Sequence, residues 1–222
     1  MGRSTDDREV PVPLDHRPTG PGSIRDARRE MYRQQILGAA ELEFSRAGFA
    51  DARMESIAAT AGVSLATVYK TFAGKLDIWN ALHAERMAAL LAAVDLATRA
   101  SSSPLDRLLT GVAAVARFLA GHESYLDLNL RAGFGWAGDA EGGQGVQRTV
   151  WSAGLDMVTA GVEAAITRDE VPGIRPRVAA GMIVSALQVW LADWVGSGRD
   201  RRPDDVIAEL TERLRWLLTG GA

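Results

Sequence analysis

The spacing of apolar residues is the feature that most restricts how this chain can fold. Ile36, Ala40, Phe44 and Ala47 follow one another at intervals of four, four and three, which places them on one face of a helix. The same kind of spacing recurs to the end of the chain, where a stripe beginning at Ile207 has intervals of three, four and three. No segment forms a convincing strand, and we find no internal repeat. The sequence therefore predicts an all-α fold.

A short helix, a glycine turn and a second short helix follow the first long helix. An apolar face that begins at Met54 ends at Gly62, and Ser64 can cap the helix that comes next. This is the arrangement of a helix-turn-helix. If Val68 and Phe72 face inward, the other side chains near the start of the second helix face outward, as in a recognition helix. A plain helical hairpin would show the same pattern, so the pattern alone leaves both interpretations open.

The segments ILGAAELEFSRAGF and MESIAATAGVSLATVYKTFAGKLDIWNAL, within residues 36–82, carry a more specific signal. Together they closely resemble the DNA-binding domain of TetR-family transcriptional regulators. The resemblance implies an N-terminal three-helix, helix-turn-helix DNA-binding domain followed by a C-terminal helical ligand-binding and dimerisation bundle. It also implies a cytoplasmic homodimer that presents two recognition helices to a near-palindromic operator in double-stranded DNA. A small-molecule effector would release that DNA.

The resemblance, together with the outward positions of the second short helix, implies a DNA-contacting set. Its members are Arg53, Ser64, Leu65, Ala66, Thr67, Tyr69, Lys70, Thr71 and Lys75. Thr67 can hydrogen-bond with a base edge or a phosphate, while Tyr69, Lys70 and Lys75 can bind phosphate oxygens. Arg53, Leu65 and Thr71 differ from the residues that are frequent at those places in the family. Four arginines, Arg25, Arg28, Arg29 and Arg33, lead into and begin the first helix and could add an N-terminal arm.

The expected organisation has three parts. A disordered tail at 1–23 is rich in Pro, Gly, Asp and Arg, the helix-turn-helix domain occupies 24–75, and the helical regulatory and dimerisation domain occupies 76–222. The segment GFGWAG matches G-x-G-x-x-G, but no βαβ unit surrounds it. We therefore interpret residues 133–145 as a glycine-rich loop.

Aromatic and methionine residues are prominent in the second half. The candidates for an effector pocket are Phe118, Tyr125, Trp136, Trp151, Met157, Met182 and Trp190. Core packing is the more common role for any one of them, whereas collectively they could line a pocket, because all-helical domains build ligand sites between their helices. Their composition favours an apolar or aromatic effector.

The resemblance also implies that the last two long helices, at about 175–196 and 203–218, pair with their copies in a four-helix interface. The leucine-rich stripe of the last helix has coiled-coil-like spacing, which supports this independently. The predicted dimer contacts are Leu187, Leu191, Trp194, Ile207, Leu210, Leu214 and Leu217.

Composition limits the remaining function classes. The chain has no cysteine, so disulfides and thiolate metal sites are excluded. Its three histidines lack metal-binding spacing, and Glu41 and Glu43 are expected on solvated faces. No run reaches the roughly 18 uncharged apolar residues of a membrane-spanning helix. The net charge of −3 shows that the chain as a whole is not basic, so any positive charge for binding DNA would have to lie on a local surface.

We therefore predict a non-enzymatic, ligand-responsive dimeric regulator that represses transcription and needs no cofactor or metal. Three alternatives stay open at this point: a helical-bundle enzyme or cofactor-binding protein, a DNA-binding scaffold without an effector, and a regulator that activates instead of repressing.

Overall fold

The computed structural model describes residues 21–131 and 145–221, with side chains described for 24–131 and 154–221. Every element within these ranges is a helix, which confirms the predicted all-α class. The helices are α1 Pro21–Asp51, α2 Met54–Thr60, α3 Leu65–Thr71, α4 Lys75–Thr98, α5 Pro104–Gly121, α6 Glu123–Arg131, α7 Gly145–Thr167, α8 Pro176–Gly196 and α9 Pro203–Thr219. Residues 1–20 of the predicted tail and 133–144 of the predicted loop lie outside the described residues.

The first three helices pack on one another through buried apolar residues that are continuous with the core of the remaining helices. The predicted inward residues of α1 are buried, with Ile36, Ala40 and Phe44 each 0% exposed, and Ile57 of α2 and Val68 of α3 meet them. Gly48, at φ 79°, interrupts α1 shortly before its end. This break turns the last residues of α1 toward α2.

The remaining helices form a bundle in which α5 is central, since it packs against α4, α6, α7, α8 and α9. The bundle touches the N-terminal helices at two places. One is α4, which continues directly from the N-terminal unit, and the other is α6, which packs on α1. Any displacement of α4 against α6 therefore acts on α1 as well.

The structure corrects the predicted dimer contacts. Six of the seven lie inside the protomer, because α8 and α9 turn these residues toward each other and toward α5 and α7. They are Leu187, Leu191, Trp194, Ile207, Leu210 and Leu214, none more than 8% exposed. Leu217, at 43% exposure, remains on the surface. A stripe with coiled-coil spacing here serves the core of one chain.

Helix α8 has a high hydropathy. By length and composition alone it is apolar enough to cross a membrane, with a mean hydropathy of 1.6 over its most apolar 18-residue window. It nevertheless contains no run of 18 uncharged residues, because Arg177 and Asp193 enclose only 15. The buried core helix of a globular protein passes the same test, and the inner side of α8 does pack in the bundle.

Candidate nucleic-acid interface

The turn between α2 and α3 is built on Gly62. Its φ of 67° lies in the left-handed region that favours glycine. The Gly62 amide donates to the carbonyl of Ala59 and the Val63 amide to that of Ala58, at 3.1 and 3.0 Å. These bonds satisfy carbonyls that the end of α2 leaves free, and Val63 packs beneath the turn against the core. The geometry agrees with the turn that the sequence indicates.

Ser64 caps α3, as expected from its position. Its Oγ accepts a hydrogen bond from the Thr67 amide at 3.1 Å and lies 2.8 Å from the Thr67 hydroxyl. Val68 and Phe72 are buried, at 0% and 5% exposure. The inner face of α3 is therefore anchored, and its opposite face is free to meet a ligand.

The structure divides the predicted DNA-contacting set into two groups. The exposed members are Arg53, Ser64, Ala66, Tyr69 and Lys70, with Thr67 half-buried beside them. Within the part of the chain that the structure describes, neither Arg53 nor Lys70 pairs with a carboxylate. Both cations therefore stay available to a phosphate.

Three members of the set are engaged by the protein itself. Leu65 packs partly against the core, and the Thr71 hydroxyl donates to the carbonyl of Thr67 at 2.8 Å. The Lys75 ammonium donates to the carbonyls of Ala50 and Ala52 at 2.8 and 3.0 Å. An ammonium has three N–H donors, so Lys75 keeps one for a phosphate while it ties α4 to the end of α1.

A buried polar junction joins α1, α4 and α6; we define it by Glu41, His83, Arg86, Tyr125 and Asn129. Glu41 of α1 pairs with Arg86 of α4 at 2.6 Å and is only 6% exposed. His83 Nδ1 lies 3.0 Å from the Tyr125 hydroxyl of α6, and Asn129 is 1% exposed. The expectation that Glu41 is solvated is wrong, because a helix about 45 residues later supplies its counter-charge.

Burial controls the protonation of this junction. It lowers the pKa of His83 from 6.5 to about 4 and raises the pKa of Tyr125 to about 12. Both rings are therefore neutral near pH 7. His83 Nε2 has no hydrogen-bond partner among the described residues, so a protonated ring would hold an unpaired donor in a buried place.

We expect this histidine to make the fold sensitive to acid. Between pH 6.5 and 4 the unfolded chain binds a proton that buried His83 does not, so the free energy of unfolding falls as the pH drops. The difference between these two pKa values corresponds to a loss of about 3 kcal/mol in the free energy of unfolding. Urea unfolding at pH 7 and pH 4 should show wild type losing about that much more than His83→Gln. Equal losses in wild type and His83→Gln would contradict the expectation.

The candidate effector residues do not gather at one place among the described side chains. Phe118 stacks on His122 with ring centroids 4.1 Å apart, Tyr125 belongs to the junction, and Trp190 is half-buried. Met157 and Met182 are exposed, at 53% and 38%. The side chains of Trp136 and Trp151 lie outside the described residues.

An open groove runs between α5 and α9 and contains none of the candidate effector residues. It is lined by Leu109, Thr110, Ala113, Ala208, Thr211, Glu212 and Arg215. Ion pairs span its two ends, Arg215 with Asp106 at 2.8 Å and Arg117 with Asp204 at 3.2 Å. It is a surface feature rather than an enclosed pocket.

Comparison with known proteins places these observations in context. Residues 36–82 match the family model described as bacterial regulatory proteins, tetR family. This segment runs from the buried start of the α1 core through α3 and into α4. No curated protein matches the chain in sequence.

Solved structures share the fold over most of the chain. The transcriptional regulator FadR from Bacillus subtilis in complex with stearoyl-CoA has 21% identity and a TM-score of 0.69, covering 85% of this chain and 98% of that one. The fatty acid degradation regulator FadR from Bacillus halodurans has 20% identity and a TM-score of 0.70 over the same shares. A TetR-like transcriptional regulator from Rhodococcus sp. RHA1 has 22% identity and a TM-score of 0.64, covering 87% and 97%.

Proposed function

We propose that this chain is a regulator of the tetR type, a homodimeric repressor that an apolar effector releases from its operator. The observation that carries the proposal is the capped, anchored α3 with its outward Thr67, Tyr69 and Lys70. The proposed DNA-binding unit consists of α1 to α3 and the proposed regulatory bundle begins at α4, with the boundary near residue 75.

The exposed face of α3 is suited to a major groove. Ala66 and Thr67 lie in its first turn, where a recognition helix contacts base edges. Tyr69, at 52% exposure, and Lys70 follow on the outward side and can bind backbone phosphates. Arg53, just before α2, adds a cation on the same unit. Sequence preference would then depend mainly on Ala66 and Thr67, and affinity on the cations.

The dimer would use the outer side of α8, opposite the residues that the sequence suggested. Val178, Met182 and Val189 are 50%, 38% and 61% exposed, and the small residues Ser185 and Ala192 complete a stripe with intervals of four and three. A helix that is apolar on both sides is normally covered on both sides, and exposed apolar patches mark interfaces. A second copy is the occupant that a two-fold operator requires.

Helix α9 extends the same kind of surface near its end. Trp216 and Leu217 are 63% and 43% exposed. Together the outer sides of α8 and α9 would form the four-helix contact, with Leu217 as the member of the sequence-based set that takes part. The high hydropathy of α8 then reflects two buried faces and requires no membrane.

The solved structures that share this fold support an apolar effector. The matching FadR structure from Bacillus subtilis holds stearoyl-CoA, and two of the matches are described as regulators of fatty acid metabolism or degradation. We therefore propose an effector with a long acyl chain. Its binding would bias the position of α4, and the polar junction would pass that movement to α1. Such coupling is typically about 1–3 kcal/mol.

The decisive experiment is selection of randomised duplex DNA with wild type and with a Thr67→Ala/Tyr69→Ala variant. We expect wild type to enrich a near-palindrome and the variant to lose about tenfold in its preference for that duplex, because the lost Thr67 contact with a base edge is worth about 1–3 kcal/mol. Gel shifts at two salt concentrations measure the preference.

Thr98→Ala is the matched control, since its hydroxyl also bonds within its own helix but lies at the far end of α4. It should behave as wild type. If no sequence is enriched and the double variant binds as wild type does, the regulator proposal fails. Release of the selected duplex by stearoyl-CoA, and not by CoA alone, would then test the effector class.

A further inference from the structure

The first turns of α1 form a surface that neither the family match nor the recognition helix accounts for. The matching segment begins at residue 36, whereas α1 begins at Pro21. Residues 24–31 are all exposed, so this part of the helix packs on nothing in the described protomer. It carries Arg25, Arg28 and Arg29, which we call the arginine face.

Acidic and basic side chains lie on different sides of this part of α1. Glu30 lies on the side of the helix that faces α4, where Gln34 donates hydrogen bonds to both Glu30 and Glu85. The arginines lie on a different side. Arg25 and Arg29 have no carboxylate partner among the described residues, and Arg28 donates to the hydroxyl of Tyr32 at 3.1 Å.

Contacts farther along α1 show which way the arginine face points. Arg25 precedes Glu43 by 18 residues and Arg29 precedes it by 14, which are about five and four helical turns. All three therefore lie on nearly the same side of α1. Glu43 accepts a hydrogen bond from Thr60, the last residue of α2, at 2.7 Å. Arg25 and Arg29 are thus on the side of α1 that faces α2, whereas Arg33, one turn later, pairs with Glu85 of α4 at 3.5 Å.

The arginine face is also close to the recognition helix. Arg33, one turn after Arg29, places its guanidinium 5.7 Å from the ring centroid of Phe72, the residue that follows α3. At 1.5 Å per residue, Arg29 and Arg25 lie about 6 and 12 Å farther along the helix. Arg25 and Arg29 are thus offset from the Arg33–Phe72 contact along the axis of α1.

We propose that the arginine face is a second DNA-contact surface, in which Arg25 and Arg29 bind backbone phosphates that flank the half-site read by α3. The inference rests on the proposed function and adds to it a contact outside the family-matched segment. Guanidinium groups bind phosphate oxygens in a bidentate manner. Contacts with phosphate add affinity and fix position without reading sequence.

Salt dependence tests this surface. Anisotropy titrations between about 50 and 200 mM salt would use two labelled duplexes of equal length, the selected near-palindrome and a mixed-sequence duplex. For Arg25→Ala/Arg29→Ala we expect the slope of log K against log salt to fall in magnitude by about 3.6, or about 0.9 for each of the four phosphate contacts that a dimer would lose. The fall should be similar on both duplexes, and Arg25→Lys/Arg29→Lys should retain most of the wild-type slope.

The matched control is Arg107→Ala/Arg168→Ala, which removes the same charge from exposed positions of the regulatory bundle. A slope for Arg25→Ala/Arg29→Ala equal to that of this control overturns the proposal. Loss of operator preference by Thr67→Ala/Tyr69→Ala, with that slope unchanged, overturns the second surface while the proposed function stands. A wild type that binds neither duplex overturns both.

Discussion

Val189→Asp is expected to convert the dimer into monomers and to weaken operator binding by at least about a hundredfold. Val189 is 61% exposed and stands in the middle of the outer stripe of α8. A carboxylate placed there would be buried against the apolar side of a second copy without a counter-charge, which costs several kcal/mol. About 3 kcal/mol already corresponds to a hundredfold change. Each monomer carries one recognition helix, so a less stable dimer is expected to bind the operator less tightly.

Sedimentation velocity over a range of protein concentrations measures the dimer directly, and gel shifts measure the operator affinity. Ala97→Asp adds the same charge at an exposed position of α4 and should remain dimeric with unchanged DNA binding. If Val189→Asp remains a dimer at the lowest concentration that can be measured, the contact between copies uses another face.

Glu41→Ala is expected to lower the free energy of unfolding by about 3 kcal/mol. Removing one member of a buried ion pair leaves the other charge uncompensated, at a cost of about 3–5 kcal/mol. Arg86 keeps 24% of its side chain exposed. Because water can still reach its charge, we expect a cost at the lower end of this range. Urea unfolding at fixed protein concentration measures it, since a dimer's apparent stability depends on concentration.

The double variant Glu41→Leu/Arg86→Met is the control for this interpretation. Replacing both partners by apolar residues of similar volume is often neutral or stabilising, so it should recover at least half of the loss. A double variant no more stable than Glu41→Ala would show that the ion pair itself, and not the unpaired Arg86, accounts for the stability.

The helix-turn-helix illustrates how much local sequence can predict. Gly62 and Ser64 were identified from their positions between two apolar faces, and the structure shows a positive φ at the first and a capping bond at the second. Inward Val68 and Phe72 followed from helical spacing and are buried. These features depend on a few neighbouring residues, so a local pattern is sufficient.

Lys75 and Glu41 illustrate the opposite case. The sequence predicts that Lys75 binds phosphate and gives no sign that its ammonium also binds carbonyls about 25 residues earlier. Glu41 suggested a solvated carboxylate, yet it pairs with Arg86 on another helix. Each partner comes from a segment whose approach depends on how α1 and α4 pack. The spacing of charges along one helix carries no information about that.

The two sides of α8 show where this division comes from. Periodicity alone establishes that α8 and α9 are helices with apolar stripes, because the repeat of the α-helix is a property of the local backbone. A helix that is apolar on both sides does not indicate which side turns inward. The packing of α5, α7 and α9 decides it: Leu187 and Leu191 lie in the core, and Met182 and Val189 remain on the surface. Helical character is a local property of the chain, whereas the burial of a side chain depends on which other helices pack against its side of the helix.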